Sequence, residues 1–427
     1  MRISLLIPTR ERAATLRATL RNVSALNDPD LEIIVSDNAS ADDTAEVIAA
    51  MRDPRIRMIR TASRLSQRQN FEHAVSAASG DYLMMIGDDD AVLVRQWPLL
   101  RMILAKRKPD ALSWPAIFYP WPGPERRGGG GRLRLSRATL FGPVIERSSA
   151  EHLASIRRLD RTREDFSPKL YHGLLSRRVI DALRAKTGMV VASGQVDAYM
   201  SAAALPFMES YLYLRHPFSI LGMGPKSGGL SIAAQHRADD ANDSARRVAE
   251  EAISDPVVEP FAMPLPVLGF YLLNGLEQAN RMAFGKALNL DAKAYLAMIF
   301  DQLADTSPEA RARGIELLTQ FAREQAQTPE LQHFIATRGA ALMSHPAPKP
   351  AKPSHPLIRM FESLSLIEPG RIGIDLKPRG LAEIDGAARM ADFLIGPSVD
   401  LTSDPASRWR AAQMRALRVI FAGAGPD

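Results

Sequence analysis

Over its first ninety or so residues the chain alternates short apolar runs with amphipathic stretches, and this alternation constrains the fold more than any other feature. Ile3 to Ile7 is an apolar run stopped by Pro8, after which Leu16, Leu20 and Val23 recur at helical spacing. Leu31 to Val35 reads as a second strand. Ser40 with Asp43 three residues on has the form of a capping box, opening a helix with Val47, Ile48 and Met51 on its apolar stripe. Arg55 to Arg60 reads as a third strand. Phe71, Ala74, Val75 and Ala78 form one helix face, closed by Gly80 where a left-handed cap is usual. Tyr82 to Ile86 is the fourth strand and ends in three consecutive aspartates. Strand and helix in regular succession predict an α/β fold, a mainly parallel sheet with flanking helices.

Beyond this the signals loosen. A helix is expected from about Gln96 to Ala105 and a strand near Ala111 to Trp114, followed by a Pro, Gly and Arg-rich loop from Pro115 to Arg132. Lys169 to Leu175 and Ser176 to Ala185 restore a strand and helix pair, and Tyr211 to Leu221 looks extended. From about Ala238 to Met343 the pattern is helical, with amphipathic stretches at Leu268 to Met282, Ala292 to Leu303 and Ala310 to Glu324. The Pro and Lys-rich segment His345 to Pro356 reads as a linker. The expected division is therefore a nucleotide-binding-sized domain over 1–237, a helical region over 238–344, a linker over 345–356 and a small mixed segment over 357–427 with no assigned role. No internal repeat has a solenoid-like period.

Composition removes several classes of chemistry. The absence of cysteine excludes disulfides, thiolate metal sites and cysteine nucleophiles. A net charge of +6, from 54 basic and 48 acidic residues, is modest for this length and gives no ground for nucleic-acid binding. It suits an anionic substrate or attraction to the acidic inner face of a membrane. The longest uncharged stretch, Pro260 to Leu276, is interrupted by Pro264 and Pro266 and is short for a spanning helix, so it reads as a buried helix. No basic and apolar leader precedes Ile3, and a cytoplasmic location is expected, with the inner membrane face as a place of peripheral association.

In an open parallel sheet, ligands bind beyond the carboxyl ends of the strands, where loops and helix N-termini converge. Thr9, Arg10 and Glu11 follow strand one, Asp37 and Asn38 strand two, and Asp88, Asp89 and Asp90 strand four. Three adjacent carboxylates repel one another unless a cation or ligand hydroxyls neutralise them. Oxygen-only ligands favour hard divalent ions, magnesium or manganese. An isolated run of three aspartates is otherwise a solvated acidic turn, and it is the strand context with Asp37 that favours a site. His216 and His236 are single histidines and read as structural or surface residues. The arginines at 126, 127, 132, 134 and 137 read as a solvated loop, with guidance of an anionic acceptor as the alternative.

The stretches "SLLIPTRERAATLRATL", "EIIVSDNASADDT", "QNFEHAVSAASGDYLMMIGDDD" and "SGQVDAYMSAAAL" together resemble the inverting family-2 glycosyltransferases of the GT-A fold, in order over about the first 230 residues. The resemblance implies a metal-dependent transfer of sugar from a nucleoside diphosphate, usually UDP, to a glycan or lipid-linked acceptor, in surface polysaccharide assembly. It implies that Thr9, Arg10, Glu11 and Asn70 contact the nucleotide-sugar and that Asp37 hydrogen-bonds the base. The aspartates resemble the family's DxD-type motif. With Gly87 opening it where many relatives have aspartate, the metal falls to Asp90 or Asp89 and the ribose to Asp88. Asp197 would be the base that deprotonates the acceptor, although Val196 stands where the family commonly has glutamate. Without that resemblance Asp197 would read as a helix cap.

"GMGPKSGG", residues 222–229, is not a phosphate loop of the Walker type, because Pro225 stands where glycine should precede the lysine. Lys226, Ser227 and nearby amides either cradle the diphosphate, as in similar segments of relatives, or form a plain turn. Two other functions remain open on the sequence: a catalytically silent nucleotide-sugar-binding protein whose helices recruit partners, and a sugar nucleotidyltransferase. Self-association through the helical region is left open as well.

Overall fold

The computed structural model describes residues 1–123, 130–160, 167–224, 255–257, 260, 267–324, 329–344, 366–397, 404–423 and 425–426. The first hundred residues run β1 (Ile3–Thr9), α1 (Ala13–Ser24), β2 (Leu31–Asp37), α2 (Thr44–Ala50), β3 (Ile56–Arg60), α3 (Gln67–Ala77), β4 (Tyr82–Met85), β5 (Ala91–Val92) and α4 (Trp97–Arg107). The middle holds β6 (Ala111–Ser113), β7 (Ile117–Pro120), β8 (Arg132–Ser136), β9 (Val144–Ser148), α5 (Ser149–Arg157), β10 (Gly173–Ser176), α6 (Arg177–Thr187), α7 (Val196–Ala203), β11 (Ser210–Leu214) and β12 (Ser219–Met223). Four helices follow, α8 (Leu268–Met282), α9 (Ala292–Leu303), α10 (Pro308–Glu324) and α11 (Pro329–Met343). The chain then returns with β13 (Leu366–Glu368), β14 (Arg371–Asp375), α12 (Ile384–Ile395) and α13 (Pro405–Ala422).

Eight strands form one sheet in the order β3-β2-β1-β4-β10-β6-β11-β9. The pairs β1–β2, β1–β4, β2–β3 and β6–β11 are parallel, so the expected α/β architecture is the one observed. β1 does not stop at Pro8. Its odd residues bond toward β2, with Ile3 donating to the Asp30 carbonyl and the Thr9 carbonyl accepting from Asn38. The donor that Pro8 lacks therefore faces the other flank, where the β4 register has ended at Leu6 and no ladder bond is lost.

Two local expectations fail for reasons visible in the contacts. The helix after β2 begins at Thr44, and no capping box forms. Ser40 instead accepts from the Glu11 amide, while Asp42 accepts from Ala13 and Thr44. Gly80 lies beyond the end of α3 and is not left-handed. Its role is close approach, since a Cβ there would sit 2.6 Å from Ser4 Oγ and 2.7 Å from the Ser4 amide. The expected loop over Pro115 to Arg132 contains β7, which pairs in parallel with β12 a hundred residues later. The extended run from Tyr211 divides into β11 and β12, which belong to different sheets.

Both faces of the large sheet are covered, which explains why its central strands read as unbroken apolar runs. Ile3, Leu5 and Ile7 share one core with Leu133 and with the returning C-terminal residues Ile372, Ile374, Ile384, Leu394, Trp409 and Val419. Leu6, Ile34, Leu83 and Met85 face the other way, into a core with Val179, Tyr199, Phe270, Leu273 and Tyr295. Thus α6 to α9 contribute to one core and the last sixty or so residues to the other, with α12 packed against α1, β5 and β12 and β14 paired with β8. Among the described residues no helix is long and apolar enough to cross a membrane.

Candidate functional site

The strand order 3-2-1-4 reverses its sequence direction beside β1, so the loops after β1 and β4 diverge and leave a crevice at their carboxyl ends. In register, Thr9 lies opposite Asp37 and Asp37 opposite Arg60. The loops after β1 and β2 are tied across the rim: the Glu11 amide donates to Ser40 Oγ at 2.9 Å and the Ala41 amide to Glu11 Oε1 at 2.9 Å. Glu11 and Ala39 are both held at positive φ, 54° and 50°. Left-handed backbone at non-glycine residues costs about 1 kcal/mol or more each, a strain that clusters at functional rims.

Asp37 is wholly buried. Its Oδ1 accepts from the Ser40 amide at 3.0 Å, and Arg60 Nη1 lies 3.1 Å from its Oδ2. Asn38 is fixed by the Leu65 amide and carbonyl, each at 2.8 Å. Asn70, expected to contact the nucleotide-sugar, is buried as a brace. Its Nδ2 donates to the carbonyls of Ser36 and Thr9, and its Oδ1 accepts from Ser36 Oγ at 2.7 Å. Arg10 is partly exposed at the end of β1.

The three aspartates divide into distinct roles. Asp88 accepts from Thr9 Oγ1 at 2.6 Å and from Arg12 Nη1 at 2.9 Å, and the same Arg12 nitrogen lies 3.8 Å from Asp89 Oδ1. Burial works against the Arg12 charge, but Asp88 and Asp89 outweigh it and raise the arginine above its ordinary pKa. Asp89 accepts from the Gly224 amide at 2.8 Å through Oδ2. Burial pushes its carboxyl up to about 7; Arg12 opposes that rise, and the charges of Asp90 and Asp88 add to it.

Asp90 is saturated by the protein itself. Its Oδ2 accepts from the Gly87 amide at 2.6 Å and the Tyr171 hydroxyl at 2.7 Å, with His172 Nε2 at 3.0 Å, and its Oδ1 accepts from the Gly222 amide at 2.7 Å. Burial would raise this carboxyl, yet the His172 charge and these donors hold it below the ordinary aspartate range. A carboxylate with both oxygens so engaged and no exposed surface is a structural anchor. Asp90 and Asp89 are both expected to meet a metal; Asp90 has both oxygens engaged by the chain, while Asp89 has one oxygen on the Gly224 amide. Asp89 Oδ1 has no contact closer than Arg12 among the described residues.

Asp197 lies in the first turn of α7. Its surface is exposed, while neighbouring protein encloses its carboxyl. That enclosure raises its carboxyl above the ordinary range, with Lys169 and His172 opposing and Asp90 adding. The fold thus brings Asp197, across more than a hundred residues of sequence, into the electrostatic field of the strand-four aspartates. The N-cap of α7 is Gln195, which makes no side-chain cap bond.

Sequence reasoning did not single out Arg12, Tyr171, His172 or Trp121. Trp121 Nε1 donates to the Asp89 carbonyl at 2.9 Å, and a Cβ on Gly222 would lie 1.7 Å from that carbonyl oxygen. The glycine-rich segment does present amides to an anion, but at Gly222 and Gly224 the anions are the chain's own Asp90 and Asp89. Lys226, Ser227, His236, Arg126 and Arg127 lie outside the described residues. His216 is structural: it accepts from the Phe141 amide and packs edge-on against Phe218, and burial lowers it to about 3. Among the described residues no three His, Asp or Glu side chains form a closed metal cage.

Residues 4–130 match the model of Glycosyl transferase family 2. Abequosyltransferase RfbV of Salmonella typhimurium is 36% identical over 109 residues, covering 24% of this chain and 33% of that protein. The GalNAc(5)-diNAcBac-PP-undecaprenol beta-1,3-glucosyltransferase of Campylobacter jejuni is 30% identical over 95 residues, 22% of this chain and 31% of that protein. The match therefore spans about a third of the length of these relatives. The solved structure of S. aureus TarS 1-349 in complex with UDP-GlcNAc superposes with a TM-score of 0.43 at 13% identity, covering 80% of this chain and 89% of that one.

Proposed function

Because residues 4–130 match the model of glycosyl transferase family 2, we propose that this chain moves a sugar from a nucleoside diphosphate, UDP favoured, to a glycan or lipid-linked acceptor. Inversion at the anomeric carbon and a place in surface polysaccharide assembly, at the cytoplasmic side of a membrane, belong to the same reading. The observation that carries it is the set of carboxylates gathered at one end of the sheet: Asp90 is held on both oxygens by the chain, Asp89 lies beside Asp88 with Arg12 3.8 Å from its Oδ1, and Asp197 is a carboxylate of raised pKa that feels the charge of Asp90.

The donor set suits a hard divalent ion, because every candidate ligand is a carboxylate oxygen. One or two carboxylates with substrate phosphates commonly suffice for Mg²⁺ or Mn²⁺, so the lack of a closed cage fits as well. Asp89 would hold the ion, whose chemistry when bound is to offset charge developing on the departing diphosphate. Asp88, fixed by Thr9 and Arg12, is oriented toward the ribose or sugar hydroxyls. Glu11 and Asp37 shape the nucleoside end of the crevice through the cross-loop bonds. Asp197 takes the acceptor hydroxyl proton as that oxygen attacks the anomeric carbon and the bond to the diphosphate breaks. A raised pKa makes it a stronger base than an ordinary aspartate.

The test is release of nucleoside diphosphate from a panel of nucleotide-sugars with Mn²⁺ or Mg²⁺ and a mixture of lipid-linked and glycan acceptors. Steady, acceptor-stimulated release supports the reading. Metal-assisted binding without turnover would replace it with a silent binder, and pyrophosphate release from a nucleoside triphosphate and sugar phosphate would replace it with a nucleotidyltransferase.

A further inference from the structure

The last helix, α13, buries Trp409, Ala412, Ala416 and Val419 in the same core as the central strands. Its opposite face is unusually apolar for a surface. Met414, Leu417 and Phe421 are 55%, 36% and 82% exposed, and their spacing puts them on one stripe. The helix contains four arginines and no acidic residue. Arg415 turns back to close the end of α12, donating to the Leu394 and Ile395 carbonyls at 2.9 and 2.8 Å. Arg410 and Arg418 are exposed, the first in line with the apolar stripe one turn before Met414 and the second flanking it. The nearest acid to the first is Asp404 at the helix start, 3.9 Å from it.

The geometry points to α13 as a docking face for an anionic lipid bilayer, lying in the interface with Met414, Leu417 and Phe421 below the headgroups and Arg410 and Arg418 at their level. Three large side chains radiating from a convex helix have no pocket to fill, and a soft interface accepts them without one. The charge pattern excludes a second copy as the better occupant. A two-fold pairing of this face would set arginines against arginines with no acid in the helix to offset them. Acidic headgroups supply the missing partner charge. Because the inner face of α13 is part of the sheet's own core, docking would fix the crevice in one attitude to the bilayer. The inference does not depend on the chain being a transferase.

Co-sedimentation with vesicles tests it, using the full chain without donor or acceptor. With equal parts phosphatidylcholine and phosphatidylglycerol, the wild type should pellet, and high salt should release much of it. Pure phosphatidylcholine should retain far less. Leu417→Ser with Phe421→Ser should weaken partitioning by about ten-fold or more, the loss expected when two large apolar groups no longer leave water. Arg410→Glu with Arg418→Glu should abolish the preference for phosphatidylglycerol. Both pairs are at exposed positions, and unchanged thermal melting would confirm that they fold. Wild type left in the supernatant with acidic vesicles, or variants that pellet like wild type, would overturn the proposal. So would a concentration-dependent dimer in ultracentrifugation that Leu417→Ser with Phe421→Ser dissolves. Failure here leaves nucleoside diphosphate release untouched, so the two readings fall separately.

Discussion

Asp197 and Asp90 sit in one electrostatic neighbourhood with opposite shifts, and the signs assign their duties. A base works only while deprotonated, so a carboxyl raised by enclosure loses its working form as pH falls through that raised value. The rate of sugar transfer should therefore show an acid limb lying above the ordinary aspartate range, read from kcat against pH. Asp197→Asn should cut kcat by about 10² to 10⁴, the usual worth of a positioned base, while binding of nucleoside diphosphate stays near wild type. Equal losses in both would remove Asp197 from the chemistry. Asp90 leads to a different expectation. Its removal strands the amides of Gly87 and Gly222 and the Tyr171 hydroxyl, each unsatisfied group costing about 1 to 3 kcal/mol. Asp90→Ala should thus lower the melting temperature sharply, whereas Asp89→Ala, which strands only the Gly224 amide, should lower it much less and abolish Mn²⁺-assisted nucleotide affinity in calorimetry. The reverse pattern would exchange the two assignments.

At the scale of elements, the site rests on a contact that local pattern cannot show. β12 passes so close to the strand-four loop that Gly222 has no room for a side chain, and its amide is spent on Asp90. Gly222→Ala would force β12 away from β7 and from Asp89. Both stability and nucleotide affinity should fall, which denaturant melts and calorimetry on the same sample would register together; an unaffected nucleotide affinity would detach β12 from the site. The first four strands and their helices were legible because each carries its own periodicity, and the rim residues Thr9, Asp37 and Asp88 follow from where those strands end. Pro8 and Gly80 were misread because their meaning lies in the neighbouring strand, a missing donor facing an open flank in one case and the approach of Ser4 in the other. β7 was hidden inside an apparent loop because its hydrogen-bonding partner lies a hundred residues on. Tyr171 and His172 carried no motif and become significant only where the turn before β10 delivers them to Asp90.

At the scale of the whole molecule, the chain closes on itself, and this decides what can be removed. Residues 1–344 contain every candidate site residue, and a linker before a small terminal segment suggests a dispensable tail. The packing argues otherwise. β14 completes a sheet with β8, Arg21 of α1 pairs with Asp385, and Asp392 accepts from the Arg95 amide and Gln96 Nε2. Ile372, Ile374, Leu376, Ile384, Met390, Leu394, Trp409 and Val419 are almost completely buried in the core that backs β1. Burying one such side chain contributes about 1.5 to 3 kcal/mol, so a handful of them equals the whole stability of a typical domain, about 5 to 15 kcal/mol. Cutting after Ser344 would also uncover the apolar faces of α1, β5, β8 and β12 against which α12 packs. The truncated protein should be insoluble or molten, binding a hydrophobic dye and losing nucleotide affinity although no rim residue has been touched. A soluble, cooperatively melting 1–344 with wild-type nucleotide affinity would instead make the return of the chain an accessory, and the crevice self-sufficient.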